Sequence, residues 1–187
     1  VVVSQHAKNV FEKTNYDMVD PQTNNKMGTL KCEPTVEVVG YPVKDIKPDQ
    51  KILDYKFSTK FNFLTVAQWG PRKDLEGIIK GFLGEFRHNP DVGFVVKTYQ
   101  ANMSIIDRRQ TDIRLQTLLG EYPDRKCKIH YIHGSLSEEE MQGLYNHPQI
   151  EAYVTTTHGE GFGLPLFESA YSGLPVVCPG WSGHVDF

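Results

Sequence analysis

The stretch that decides the fold of this chain is His158-Gly159-Glu160-Gly161-Phe162-Gly163-Leu164-Pro165-Leu166-Phe167-Glu168. Before it lies Ala152–Thr157, whose β-branched and aromatic residues predict a buried strand. After its glycines come Pro165, where a first helical residue would sit, and Gly173, where a helix should stop. The sequence therefore predicts a strand, a glycine loop, a short helix and a further strand.

The start of that helix is predicted to favour an anionic or hydroxyl-rich ligand, because its first backbone N–H groups have no partner within the helix. Gly161 and Gly163 would let such a ligand touch the main chain. Glu160 falls in the loop and Glu168 in the first turn of the predicted helix, where a carboxylate could accept hydrogen bonds from a vicinal diol such as ribose. The alternative is structural: a tight turn, a solvated Glu160, and a Glu168 that only complements the helix dipole.

Strands and helices alternate regularly from residue 61 onward, which predicts an α/β fold with a parallel sheet and right-handed crossovers. Before residue 61 we expect a strand end at Val1–Ser4, a helix at Gln5–Lys13, a loop over 15–33, a strand over 35–40 and a connection over 41–60. The later strands are expected at 61–67, 92–98, 126–133 and 152–157, with helices at 74–87, 104–119, 138–146 and after the glycine loop.

A second chemical constellation lies between the first of those later strands and its helix, in the loop Gln68-Trp-Gly-Pro-Arg72-Lys73. Arginine can fork onto two phosphate oxygens and lysine supplies a point charge, so two cations beside a helix start could cradle a diphosphate. The alternative is a solvated basic pair. The position of the pair, in a loop at a carboxyl strand end, favours the binding role.

Composition and charge argue against a disordered protein, a general nucleic-acid-binding protein and a membrane-spanning protein. The chain has 187 residues, 39% hydrophobic and 23% charged, as expected for an ordered globular protein. A net charge of −3 argues against general nucleic-acid binding, and no apolar run approaches the roughly 18 residues of a membrane span. The three cysteines are far apart, which suits reduced thiols and a cytoplasmic location. Cys127, His130 and His133 make a poor metal set, since strand positions 130 and 133 face opposite ways.

The motif Glu160-x7-Glu168, set in Gly-Glu-Gly-Phe-Gly-Leu-Pro and followed by Gly-Leu-Pro-Val-Val, closely resembles the donor-sugar motif of GT-B retaining glycosyltransferases, in particular glycosyltransferase family 4. Trp181–Phe187 resembles the next donor-side loop of one branch of that family, and Pro71-Arg-Lys-Asp-Leu75 resembles its Pro-Arg-Lys-Asn-Leu. The resemblance runs from about residue 35 to the end. It implies that residues 1–40 are the tail of an N-terminal acceptor domain and a linker. Residues 41–187 would then form a Rossmann-like nucleotide-sugar-binding domain that has helices on both faces of its sheet and is truncated at its C-terminus.

The activity that this resemblance implies is the transfer of a hexose from a nucleoside diphosphate sugar to an acceptor hydroxyl with retention. The chain would be mainly the donor-binding half and inactive alone. Lys73 and Arg72 would hold the diphosphate and act with Glu160 in catalysis. Ala67 and Gln68 stand where the family usually has glycine and arginine, which leaves open whether Arg72 replaces that arginine. The implied donor-binding residues are Arg72, Lys73, Ser135, Leu136, His158, Glu160, Gly161, Phe162, Gly163, Leu164 and Glu168. Among them Ser135 and Leu136 belong to the strand end and turn over 133–136, which the resemblance implies to lie against the nucleobase.

The resemblance also implies partners and excludes others. The donor is a nucleotide sugar, and a glycan, lipid or other hydroxyl acceptor would bind through the N-terminal domain. No metal or other cofactor and no nucleic acid are expected, and any membrane contact would come only through parts outside this chain. The alternatives that remain open are a GT-B sugar-nucleotide epimerase or glycan phosphorylase, and a non-catalytic nucleotide-sugar-binding module. Epimerisation would need an acid/base pair facing the sugar, which the sequence does not show.

Overall fold

The computed structural model describes all residues, Val1–Phe187, and they group into two compact units. The small unit comprises Val1–Val43, Gly159–Gly163 and Gly180–Phe187. The sheet unit comprises Lys44–His158 and Leu164–Pro179. The predicted division into an acceptor-domain tail over 1–40 and a nucleotide-sugar-binding domain over 41–187 stays a prediction.

The small unit is built around helix α1 (Gln5–Lys13) and an antiparallel hairpin, β1 (Asn15–Val19) with β2 (Lys26–Lys31). Ser4 caps α1, its hydroxyl oxygen accepting a hydrogen bond from the Ala7 N–H. The hairpin shows that the expected loop over 15–33 was wrong. The expected strand over 35–40 is reduced to a single β-bridge between Val2 and Val38. The apolar side chains of the hairpin are exposed, so no buried face imposes the alternation by which strands are recognised.

The sheet unit contains five parallel strands. They are β3 (Phe61–Gln68), β4 (Val92–Tyr99), β5 (Lys128–His133), β6 (Ile150–Val154) and β7 (Val176–Val177). Their order in the sheet is β5-β4-β3-β6-β7. The chain runs outward through β3, β4 and β5 and then returns to the other side of β3, so the direction of winding changes between β3 and β6. Parallel sheets of this kind bind ligands outside the carboxyl ends of the strands at such a switch point.

Helices cover both faces of the sheet, and each face has its own apolar core. The helices are α2 (Gln50–Asp54), α3 (Leu75–Phe86), α4 (Ile105–Gly120), α5 (Glu138–Tyr145) and α6 (Leu164–Tyr171). One core joins α3 and α4 to strand residues such as Phe94 and Val96, and the other joins α2, α5 and α6 to Leu64 and Val95. The predicted fold class, a Rossmann-like parallel α/β sheet with helices on both faces, is confirmed.

Local signals placed most of these elements to within a few residues. The predicted capping box forms at α5: the Glu140 N–H donates to the Ser137 hydroxyl at 3.2 Å, and the Ser137 N–H donates to the Glu140 carboxylate at 2.7 Å. The short helix α2 was missed within the expected connection over 41–60. None of the helices has the length and apolar character needed to cross a bilayer.

Candidate functional site

Within the sheet unit, the basic loop after β3 is hydrogen-bonded at the switch point to the residues that directly follow β6. The Arg72 carbonyl accepts hydrogen bonds from the His158 N–H at 2.8 Å and from the Thr157 hydroxyl at 3.3 Å. The Thr156 hydroxyl donates to the Asp74 carbonyl at 3.3 Å. The loop after β3 is thus fastened to the loop after β6, at the place where an open parallel sheet binds ligands.

Arg72 and Lys73 lie in a 3₁₀ turn, Pro71–Lys73, immediately before α3. Asp74 follows in a left-handed conformation (φ 47°), and its carboxylate lies where a Cβ on Gly77 would stand. A negative group therefore covers the first turn of α3. Phosphate binding here would rest on the two basic side chains more than on the N-terminus of that helix.

Glu168 is the fifth residue of α6 and lies just beyond its first turn, so the predicted place in the first turn was wrong by one position. The cause is that α6 begins at Leu164, which makes Pro165 its second residue. The Tyr145 hydroxyl of α5 donates a hydrogen bond to Glu168 Oε2 at 3.0 Å. Burial raises the pKa of the half-buried Glu168 carboxyl, and the bond from Tyr145 offsets only part of that.

The loop after β5, predicted to contact the nucleobase, begins at Gly134, whose φ of 103° suits glycine. Ser135 is exposed and Leu136 packs against the core on the α5 side of the sheet. The loop lies at the carboxyl end of β5, the strand beside β4, so Ser135 and Leu136 remain candidates for a base contact.

His133 and Asp107 form a nearly buried pair on the other face of the sheet, 5% and 3% exposed, with Nε2 at 3.2 Å from Oδ2. Asp107 also accepts hydrogen bonds from the backbone N–H groups of Gln100, Ala101 and Met103. Burial acts to raise the pKa of Asp107, but these hydrogen bonds outweigh it and hold the pKa below its usual value. The pair anchors the loop between β4 and α4, a structural task.

Within the small unit, Ser182 holds the main chain of Glu160 on both sides. The Glu160 N–H donates to the Ser182 hydroxyl at 2.8 Å, and that hydroxyl donates to the Glu160 carbonyl at 2.8 Å. The Gly183 N–H also donates to the Glu160 carbonyl, at 3.0 Å, and the Ser4 hydroxyl donates to the Gly161 carbonyl at 2.5 Å. The glycine loop is therefore fixed by residues far away in the sequence.

The other residues of the glycine loop are placed as follows. Phe162 packs against the rings of Tyr41 and Phe187, at 5.0 and 5.1 Å between centroids. Gly163 has a φ of 93°, a conformation that favours glycine. In the sheet unit, His158 and Leu164 are exposed at the two junctions with this loop.

Sequence reasoning missed Tyr145 and the fastening role of Ser182. Tyr145 lies in the last turn of the predicted helix over 138–146 and carries no signal for a partner in α6. Ser182 lies in the quoted segment Trp181–Phe187, yet its bond to a residue 22 positions away has no local signature. His, Cys, Asp and Glu side chains form no group of three or more that could hold a metal ion.

No protein-family model matches the sequence, and no curated protein matches it either. Solved structures with a similar fold include the C-terminal domain of a glycosyl transferase group 1 family protein, LpcC, from Francisella tularensis. That likeness has a TM-score of 0.53 and 18% identity over 72% of this chain and 68% of that one.

Two longer proteins are also similar in fold. An α,α-trehalose-phosphate synthase (UDP-forming) from Burkholderia vietnamiensis has a TM-score of 0.53 and 13% identity, over 73% of this chain and 32% of that one. The HepE protein of Anabaena, in complex with UDP and glucose, has a TM-score of 0.50 and 15% identity, over 68% and 31%. This chain thus spans about a third of their length, and the likeness shows the fold of a GT-B C-terminal domain.

Proposed function

We propose that this chain is mainly the donor-binding part of a GT-B retaining glycosyltransferase of the family 4 type, and that its sheet unit binds the nucleoside diphosphate of a nucleotide sugar. The observation that carries the proposal is the joining of the basic loop after β3 to the loop after β6, through the Arg72 carbonyl. That junction supplies cations at the switch point of an open parallel sheet, where nucleotides bind in folds of this architecture.

Charge supports the assignment of the diphosphate to this loop. Lys73 and Arg72 are adjacent cations in a chain whose overall charge is −3, so the basic pair is not part of a general cationic surface. Arginine offers two parallel donors to phosphate oxygens, and lysine offers a compact charge. We assign Lys73 the main contact and Arg72 a supporting one.

The remaining donor contacts follow the motif. Glu160 and the main chain of Gly161, Phe162, Gly163 and Leu164 are proposed to hold sugar hydroxyls, because backbone amides and a carboxylate complement a polyol. The ribose is assigned to Glu168, whose Tyr145 bond occupies one oxygen and leaves acceptor capacity on the carboxylate. Ser135 and Leu136 are assigned to the base, and His158 to the edge of the sugar site.

The reaction that we propose moves a hexose to an acceptor hydroxyl with retention at the anomeric carbon. The departing diphosphate gains charge as the bond to the sugar breaks, and the sugar passes through an oxocarbenium-like state. Placed charges that stabilise the leaving group then matter more than any single acid or base. Lys73 and Arg72 fill that role without a metal ion. The similar structure of the Anabaena HepE protein, which is a complex with UDP and glucose, supports a nucleotide-sugar donor.

The proposal is tested by Lys73→Ala, with diphosphate binding measured by calorimetry for UDP, GDP and ADP. We expect a loss of about 1.5–3 kcal/mol, the worth of hydrogen bonds to charged groups. Lys60→Ala is the matched control, because Lys60 is an exposed lysine that directly precedes the amino end of β3, whereas Lys73 follows the carboxyl end of that strand. A chelator should leave binding unchanged. If chelation abolishes binding while Lys73→Ala preserves it, the phosphate site lies elsewhere.

A further inference from the structure

Lys97 is a buried lysine in the sheet unit that the proposed donor contacts do not use. It belongs to β4, the central strand between β3 and β5, and only 8% of its surface is exposed. Its register neighbours are Val66 on β3 and Ile132 on β5, both apolar. Its ammonium has no hydrogen bond and no ion pair, and its one close polar contact is the face of the Tyr99 ring, at 5.6 Å from Nζ to the centroid.

The direction of the side chain follows from that contact. Alternate residues of a strand share a face, so Tyr99 is the next residue on the Lys97 side toward the carboxyl end of β4. Tyr99 is also the last residue of the strand. The ammonium near its ring therefore reaches toward the carboxyl ends of the strands, beside the switch point between β3 and β6.

A charged amine in this position is costly to the folded protein. Burial removes water from the ammonium, and an aromatic face replaces only a part of that hydration. The same burial lowers the pKa of Lys97 below its ordinary value. Methionine would fill a similar volume without the cost. A ligand oxygen that accepts hydrogen bonds from the ammonium would remove the penalty, since a buried charge is stable when it is paired and hydrogen-bonded.

We propose that Lys97 binds the nucleotide part of the donor, its ammonium donating hydrogen bonds to a ligand oxygen outside the carboxyl ends of β3 and β4, with the Tyr99 ring alongside. This inference rests on the proposed function, whose phosphate contact is Lys73. The positive charge favours a diphosphate oxygen. A carbonyl oxygen of the nucleobase offers the same acceptor chemistry, and the experiment separates these two sources.

The test compares Lys97→Met with the unmodified chain in calorimetric titrations of UDP, uridine and pyrophosphate. Methionine keeps the length of the stem and removes the charge and the donors. We expect UDP to bind about ten- to a hundredfold more weakly, as for the loss of a hydrogen bond to a charged group. A parallel loss for pyrophosphate assigns Lys97 to the diphosphate, while a loss for uridine with pyrophosphate unchanged assigns it to the base.

The matched control is Lys128→Met, an exposed lysine at the amino end of the neighbouring strand β5. It should leave every titration unchanged. Lys97→Met should also melt at a higher temperature than the unmodified chain, because a desolvated charge is removed. A variant that both gains stability and loses affinity distinguishes a binding role from a lysine whose stem merely covers apolar surface.

A measurement on the unmodified chain covers the case in which Lys97→Met fails to fold. The side-chain Cε and Nζ resonances of Lys97 should shift when UDP is titrated, while those of Lys128 stay fixed. If UDP binds the unmodified chain and neither the Lys97→Met titration nor the Lys97 resonances change, Lys97 is a structural residue and the inference is overturned. If no nucleotide binds and Lys73→Ala changes nothing, the proposed function fails and this inference fails with it.

Discussion

Glu168 shows how one carboxylate can be costly to the fold and useful to a ligand. It is half-buried in α6 and accepts a hydrogen bond from Tyr145. Burial raises its pKa, which means that the folded protein disfavours its ionised form. A group with a raised pKa in the folded state adds stability at low pH, and this contribution is lost as the pH rises through that pKa. At neutral pH the Glu168 charge therefore lowers the stability of the fold.

We predict that Glu168→Gln weakens ribonucleotide binding by about 1.5–3 kcal/mol without lowering stability at neutral pH. The amide can match one of the hydrogen bonds from the ribose hydroxyls but must turn a donor toward the other oxygen. A 2′,3′-dideoxy nucleotide lacks both hydroxyls and should hardly respond. Calorimetry with both nucleotides and both proteins measures the difference. Equal losses for the two ligands would remove Glu168 from the ribose.

The purely structural role of Glu168 predicts the reverse pattern. Because Glu168 lies just beyond the first turn of α6, a carboxylate that only serves the helix dipole should cost at most about 0.3–1 kcal/mol of stability when it becomes glutamine, and binding should be unchanged. The pH dependence separates the two roles again. Ribonucleotide affinity should fall as the pH falls through the raised pKa of Glu168, above the usual 4.5, and this fall should be absent in Glu168→Gln.

The conformation of the glycine loop is held by hydrogen bonds from the segment around Ser182. The Ser182 hydroxyl bonds both the N–H and the carbonyl of Glu160, and Ser182 itself has a φ of 85° and a ψ of −171°, a conformation largely restricted to glycine. A Cβ on Gly183 would collide with the Gly161 carbonyl oxygen. Ser182 therefore has a strained backbone at the position from which its hydroxyl holds the main chain of Glu160, a predicted sugar-binding residue.

We predict that Ser182→Ala speeds hydrogen exchange of the Glu160 backbone amide by an amount equivalent to about 1–3 kcal/mol, since that buried N–H loses its acceptor. Ser182→Gly also removes the hydroxyl but relieves the strain at positive φ, so its loss of stability should be the smaller of the two. Exchange measured by NMR at Glu160 reports this locally, with an amide of β4 as the reference. An unchanged rate in Ser182→Ala would mean that the hydroxyl does not hold the loop.

For the chain as a whole, we expect binding of the nucleotide-sugar donor to be separable from transfer of the sugar to an acceptor. The residues with a proposed binding role, from Arg72 to Glu168, all concern the donor, and none is assigned to an acceptor. This chain also spans about a third of the length of the longer proteins that share its fold. We therefore expect donor binding by this chain alone, with no transfer.

The corresponding experiment is a thermal-shift screen of UDP, GDP, ADP and their sugars on the unmodified chain. A ligand at about 100 times its dissociation constant should add roughly 2.7 kcal/mol to the stability of the folded state. The nucleotide with the largest shift identifies the base. Incubation with the matching nucleotide sugar and simple glycans should release no nucleotide beyond the background rate. Measurable transfer by these residues alone would contradict the assignment of the chain to donor binding.

Elements with local signals could be predicted from the amino-acid sequence. The apolar stripe of α3, the capping box at Ser137 and Glu140, and the β-branched runs of β3 and β4 each depend on residues within a turn or a strand, so their positions could be predicted. Regular alternation of such elements limits the topology to a parallel sheet, and the loops after β3 and β6 then fall at its carboxyl edge. Most of the candidate residues came from those loops, whereas Ser135 and Leu136 follow β5 and Glu168 lies in α6.

Other features of the protein depend on contacts between residues that are distant in the sequence, and only the folded structure shows them. The β1–β2 hairpin forms through cross-strand pairs rather than a local period, and was predicted as a loop. Tyr145 reaches Glu168 across 23 positions, and Ser4 reaches Gly161 across 157. Lys97 likewise lies between Val66 and Ile132 only because β3 and β5 pair with β4 in this register. Each contact depends on how separate elements pack, and packing brings together residues whose spacing along the chain carries no period.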